Sequence, residues 1–150
     1  MLNVVLKSLV VFSLFACPSI AFAEDASPKT KLLGVWQAIS LKFGDKEAPP
    51  EAVKLMRFTF RENELLLRGN FQDAREVSCS YKFDSSKAPM ELDFTPPQNA
   101  PTILGIARFQ GDKLELCLRR AAQNKARPAE FKTGGDETVL LVQFERVADK

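Results

Sequence analysis

Ile103-Leu104-Gly105-Ile106-Ala107-Arg108-Phe109-Gln110-Gly111-Asp112-Lys113-Leu114-Glu115-Leu116-Cys117-Leu118-Arg119 carries the best hairpin signal in the chain. Its second half alternates. Leu114, Leu116 and Leu118 share one face, and Glu115 and Cys117 share the other, the period-two pattern of a half-covered strand. Gln110-Gly111-Asp112 is a turn signal between two such runs, so the stretch predicts an antiparallel hairpin. Moving upstream, Met90, Leu92 and Phe94 alternate with Glu91, Asp93 and Thr95. Before them lie strand-like runs at Glu76–Phe83, Leu65–Leu67, Arg57–Arg61 and Gly34–Phe43, set off by Gly44-Asp45, Glu62-Asn63, Gly69-Asn70 and a turn over 84–89. Pro49–Leu55 reads as one short helix, with prolines where a missing N–H costs nothing. Downstream, a polar loop over about 121–133 leads to a last strand at Glu137–Val147.

The chain therefore predicts an all-β fold of about eight strands in sequence order, with no βαβ alternation, long helix or internal repeat. An up-and-down antiparallel barrel satisfies this best, because closure removes the exposed edges of an open meander. Eight strands enclose room for side chains or for one small ligand. Among the 12 phenylalanines, Phe58, Phe60, Phe83, Phe94 and Phe144 fall at inward parity. They either fill the interior or line an apolar pocket.

The two ends of the chain carry a further pattern. Gly34-Val35-Trp36 opens the first strand, and Arg146 returns in the last one, in Phe144-Glu145-Arg146-Val147. This pairing resembles the closing signature of lipocalin-like barrels, which implies structural roles for Gly34, Trp36 and Arg146. In such barrels the arginine covers the indole at one end, a cation–π contact that seals the floor. Longer blocks agree. Leu33-Gly34-Val35-Trp36 (Leu32 restores the usual spacing), Leu55 to Phe60, and Tyr81-Lys82-Phe83-Asp84 with Pro89 and Asp93 come first. Leu104-Gly105-Ile106, Gly111 to Cys117, and Arg127-Pro128-Ala129-Glu130-Phe131 follow in order. Together they resemble an uncharacterised family of secreted bacterial lipocalin-like domains expanded in planctomycetes. The resemblance spans Leu33 to Val147 and implies fold and compartment; the family has no established activity. Ala107 stands where that family often has Tyr, and Cys79 where it often has Gly.

The first 23 residues read as a signal peptide. Lys7 gives a positive start, an apolar run follows, and Ala21-Phe22-Ala23 is a cleavage site. The run is short for a transmembrane helix. A lipoprotein signal ending at Cys17 is the alternative. The organisation expected is a signal over 1–23, a leader over 24–30 and a barrel domain over 31–148. Export to the periplasm or beyond follows, with no transmembrane segment after cleavage. The net charge of +2 argues against nucleic acid as partner.

The chain has no histidine. That excludes Ser-His-Asp and Cys-His activation and every histidine-containing metal site. No cofactor, metal or enzymatic activity is expected. Cys79 and Cys117 lie in an export compartment, so a disulfide is one reading. Their opposite strand faces favour two free thiols, the other reading. Cys117 also neighbours Arg119, a setting that lowers a thiol pKa, although no CxxC accompanies it. Glu91 and Asp93 share a face that Glu115 can join, which suits acid/base work or Ca²⁺ but more often marks a solvated surface.

Two functions remain. The first is non-enzymatic binding of a small apolar or lipid-like ligand, with Phe58, Phe60, Tyr81 and Phe94 as interior or mouth residues. The second is an interaction module that inhibits or neutralises an envelope or secreted protein. There Arg119, Arg120 and Arg127 contact the partner or an anion, and replacing them by Ala leaves stability nearly intact.

Overall fold

A computed structural model describes residues 26–70, 73–119 and 126–148. The expected signal region over 1–23, Cys17 and Arg120 lie outside the described residues. The strands are β1 (Gly34–Phe43), β2 (Lys46–Glu47), β3 (Arg57–Phe60), β4 (Leu65–Asn70), β5 (Asp73–Asp84), β6 (Met90–Thr95), β7 (Ile103–Gln110), β8 (Lys113–Arg119) and β9 (Val139–Val147). All pairings are antiparallel between neighbours, and β9 pairs with β1. Eight strands thus close an up-and-down barrel, and the two-residue β2 extends the end of β1. The expected fold class is observed. Among the described residues no helix is long and apolar enough to cross a membrane.

Among the described residues two helices form rather than one. Helix α2 (Pro50–Leu55) is the expected one. It packs against β1 and β4, beside the four-residue β3, and completes the wall that so short a strand leaves incomplete. Helix α1 (Pro28–Leu32) begins inside the stretch expected to be a mere leader. Ser27 caps it by accepting from the Thr30 N–H, and Pro28 occupies the first turn. Five residues form no stable helix alone; Leu32, fully buried at its end, anchors it.

Two irregularities place side chains that strict alternation would misplace. A bulge between Ala38 and Ser40 turns Ile39 outward. Trp36, Ala38 and Leu41 are then all buried, although simple parity sets Leu41 on the opposite face. In β4 the register shifts between Arg68 and Asn70. Gly69, expected to turn the chain, instead continues the strand at φ 93°. A Cβ there would lie 2.1 Å from the Leu55 carbonyl oxygen, so only glycine lets α2 approach.

Inside, Trp36, Phe58, Phe60, Phe94 and Phe144 form a buried aromatic cluster with Leu65, Leu92, Leu114, Leu116 and Val142. Phe58 stands at its centre, 4.8 Å from Phe144 and 6.2 Å from both Phe60 and Phe94 between ring centroids. Edge-on and tilted rings at these separations gain quadrupole attraction beyond their buried area.

Candidate functional site

The barrel has a closed end and an open one. At the closed end, Trp36 is 1 % exposed, and its indole N–H donates to the Leu32 carbonyl at 2.8 Å. The Arg146 guanidinium lies 4.4 Å from the indole centroid. It also donates to the carbonyls of Leu33, at 2.7 Å, and of Lys31. Gly34 sits beneath it at φ 118°, and a Cβ there would lie 2.6 Å from Arg146 Nη1. Gly34, Trp36 and Arg146 therefore meet at this end of the barrel. Helix α1 adds two more cations over rings, Lys29 at 4.4 Å from Tyr81 and Lys31 at 5.1 Å from Phe109.

The floor also claims two of the expected ligand residues. The Tyr81 hydroxyl donates to the Arg61 carbonyl at 2.6 Å and accepts from Lys29 Nζ at 2.8 Å. Phe60 is 1 % exposed and stacks edge-on to Tyr81. Neither lines the open end. Their inward parity was readable, but parity does not say at which height of the barrel a residue stands.

The opposite end holds a half-open cavity of about 420 Å³. Phe58 and Phe94 reach it from the aromatic cluster. Met56, Leu67, Val77, Ile103, Leu118, Leu140 and Val142 form its walls. Pro96, Pro97 and Gln98 line it from the β6–β7 loop, and Arg68 and Arg75 from β4 and β5. Each of these strands ends or begins here, while β7 runs down to Phe109 and β9 to Arg146 at the floor. Arg68 and Arg75 escaped the sequence reading. The signal for Arg75 was present: it shares the parity of Val77 and Cys79, an inward position occupied by a charge.

The outer wall of β6, β7, β8 and β9 carries the remaining candidates. Residues 126–138 lie across it. Arg127 donates to both carboxylate oxygens of Asp93, at 2.9 Å for Oδ2, and to the Gly105 carbonyl at 2.7 Å. It also pairs with Glu91 at 3.4 Å. This set of acceptors, the Asp93 hydrogen bond first, holds its guanidinium pKa above the ordinary value. Phe131 packs against Ile106, Cys117, Val139 and Leu141, a small second core outside the barrel. Arg108 stands 4.2 Å above the Phe131 ring and binds Glu115. Glu115 is 3 % exposed and accepts also from Gln143 at 3.1 Å. Arg119 pairs with Asp136 at 2.9 Å.

These contacts correct three expectations. Arg119 and Arg127 are not projecting loop charges; acidic groups of the same chain engage both, and the loop expected to be solvated fastens to the barrel. Glu91 and Asp93 form no free carboxylate pair, and Glu115 turns to Arg108 instead. Among the described residues no three acidic, histidine or cysteine side chains gather as a metal site. The disulfide is absent as well. Cys79 is buried in the main core and Cys117 under Phe131, on opposite faces of the sheet, and both thiols are free. Burial pushes each up to about 11. For Cys117 desolvation outweighs the nearby Arg119, so its thiol is not activated.

No family model, curated protein or solved structure matches this chain.

Proposed function

We propose that the protein is a non-enzymatic, exported barrel that binds a small apolar or lipid-like molecule in its open mouth. One observation carries this reading: the aromatic cluster fills only the floor half, and an apolar cavity of about 420 Å³ remains above it. Ligand sites are commonly of this size, mostly apolar with a few placed polar groups. The ordered sequence blocks support placing the chain among the secreted lipocalin-like domains they resemble, and the segment 1–23 supports delivery to the periplasm or beyond. The rival reading, an inhibitor of an envelope protein acting through Arg119, Arg120 and Arg127, is disfavoured by the intramolecular partners of Arg119 and Arg127.

Native mass spectrometry of protein purified from its own envelope tests the reading, before and after organic extraction. A bound small-molecule mass that extraction removes is expected. A clean unliganded mass in both spectra overturns it. The same spectra distinguish cleavage after Ala23 from lipidation at Cys17.

A further inference from the structure

We infer that the mouth selects an uncharged ligand: an apolar body with one hydrogen-bonding group, a hydroxyl or an amide, that Gln98 recognises at the rim. This rests on the reading of the mouth as a ligand site and names the chemistry that site takes.

The mouth holds little that would answer a charge. Arg75 is engaged within the chain. Arg68 stands on the outer face of β4, directly opposite Glu76. Among the described lining residues there is no carboxylate, and Gln98 is the one uncharged polar side chain. Nothing among the described residues hydrogen-bonds its carboxamide. The remaining lining is hydrocarbon, with the Met56 thioether.

The β6–β7 loop carries Gln98 to this position. Thr95 and Thr102 hydrogen-bond to each other at 2.8 Å and tie the base of the loop. Gln98 and Asn99 follow Pro97 in the left-handed conformation, at φ 65° and 58°, and turn the chain at the rim. Pro96 and Pro97 have no backbone N–H to offer a ligand. Gln98 comes next with two amide protons and a carbonyl oxygen, so it can donate to and accept from a hydroxyl or an amide.

A carboxamide cannot repay the cost of drawing an ion out of water, whereas it can satisfy one neutral polar group. Below the rim, the Phe58 and Phe94 rings stand at 80° to each other with centroids 6.2 Å apart. They present both a face and an edge, which suits a flat apolar body as well as a chain. The volume of about 420 Å³ sits low in the range for small-molecule sites, so the body is small.

Isothermal titration of the purified protein with four probes of one shape tests the assignment: 2-naphthalenemethanol, 2-methylnaphthalene, 2-naphthoate and 2-naphthylmethylammonium. The alcohol should bind at least about tenfold more tightly than either ion, which has no counter-charge at the rim. A Gln98→Leu variant should bind the alcohol about three- to tenfold more weakly, the effect of one neutral hydrogen bond, and keep its affinity for 2-methylnaphthalene. A Gln98→Glu variant should bind the ammonium probe more tightly than the unmodified protein does. If either ion binds as well as the alcohol, the mouth does not select against charge and the inference fails while the apolar site stands. The inference also fails if Gln98→Leu weakens both neutral probes alike or neither, or if Gln98→Glu gains nothing for the ammonium probe. If neither neutral probe binds the unmodified protein, the ligand-site reading falls together with the inference.

Discussion

Single residues explain the closed end. Trp36 is the largest fully buried side chain among the described residues, and its N–H is satisfied by Leu32, so its burial leaves no polar group unpaired. Trp36→Ala should cost about 3–5 kcal/mol, as large aromatic truncations do. A urea unfolding midpoint that hardly moves would contradict this. Gly34→Val should also destabilise, because its side chain would displace the Arg146 guanidinium and the backbone there has positive φ. Trp36 is the one tryptophan, so its fluorescence reads the floor directly: Gly34→Val should expose it to acrylamide, and unchanged quenching would show that the latch is dispensable. The thiols make a pH prediction. Each rises from an ordinary 9.0 to about 11 in the folded protein. The native state then holds protons that the unfolded chain has lost, so their contribution to stability is complete below pH 9 and falls away between pH 9 and 11. A Cys79→Ala/Cys117→Ala variant should lose less stability over that interval than the unmodified protein, measured by urea midpoints at each pH.

At the scale of elements, the segment 126–138 behaves as part of the barrel. Its hold combines the Arg127 clamp on Asp93 and Glu91, the Phe131 contact and the Arg119–Asp136 pair. Arg127→Ala leaves two carboxylates and the Gly105 carbonyl without their donor. It should cost about 1–3 kcal/mol, where a solvated loop arginine would cost almost nothing. A double-mutant cycle with Asp93→Ala measures the coupling, and additive losses would show that the clamp contributes nothing. Much of this element was present in the sequence. Arg127-Pro128-Ala129-Glu130-Phe131 stood out as a block, and the outward Glu91 and Asp93 were visible as a pair. Their meeting was not, because 34 residues separate Arg127 from Asp93 and only the barrel brings them together. Helix α1 was hidden for another reason: its five residues carry little helical preference, and the floor they cover exists only after the barrel closes.

Across the whole molecule, the two halves of the interior differ in packing. The floor half is filled by rings and closed by α1, while the mouth half keeps its cavity. Local stability follows buried contact density. Native-state hydrogen exchange should therefore be slowest where β1, β8 and β9 pair near Trp36, Leu114 and Phe144. It should be fastest where β4 and β5 approach the mouth at Arg68 and Arg75. A uniform exchange profile would show that the barrel opens as one unit and that the cavity has no energetic consequence.

The strand pattern, the antiparallel order and hence the barrel were legible in the residues alone. Period-two alternation and short turns are local properties, and closure is the one arrangement that leaves no edge exposed. The sequence also singled out Gly34, Trp36 and Arg146, through the resemblance of their pattern to the closing signature of lipocalin-like barrels. Which inward residues plug the floor and which face the mouth emerges only once the barrel is folded. Parity assigns a face, whereas height depends on strand stagger and on the bulges at Ile39 and Gly69. That is why Phe60 and Tyr81 serve the floor while Phe58 and Phe94 reach the cavity, and why the arginines at the mouth are Arg68 and Arg75.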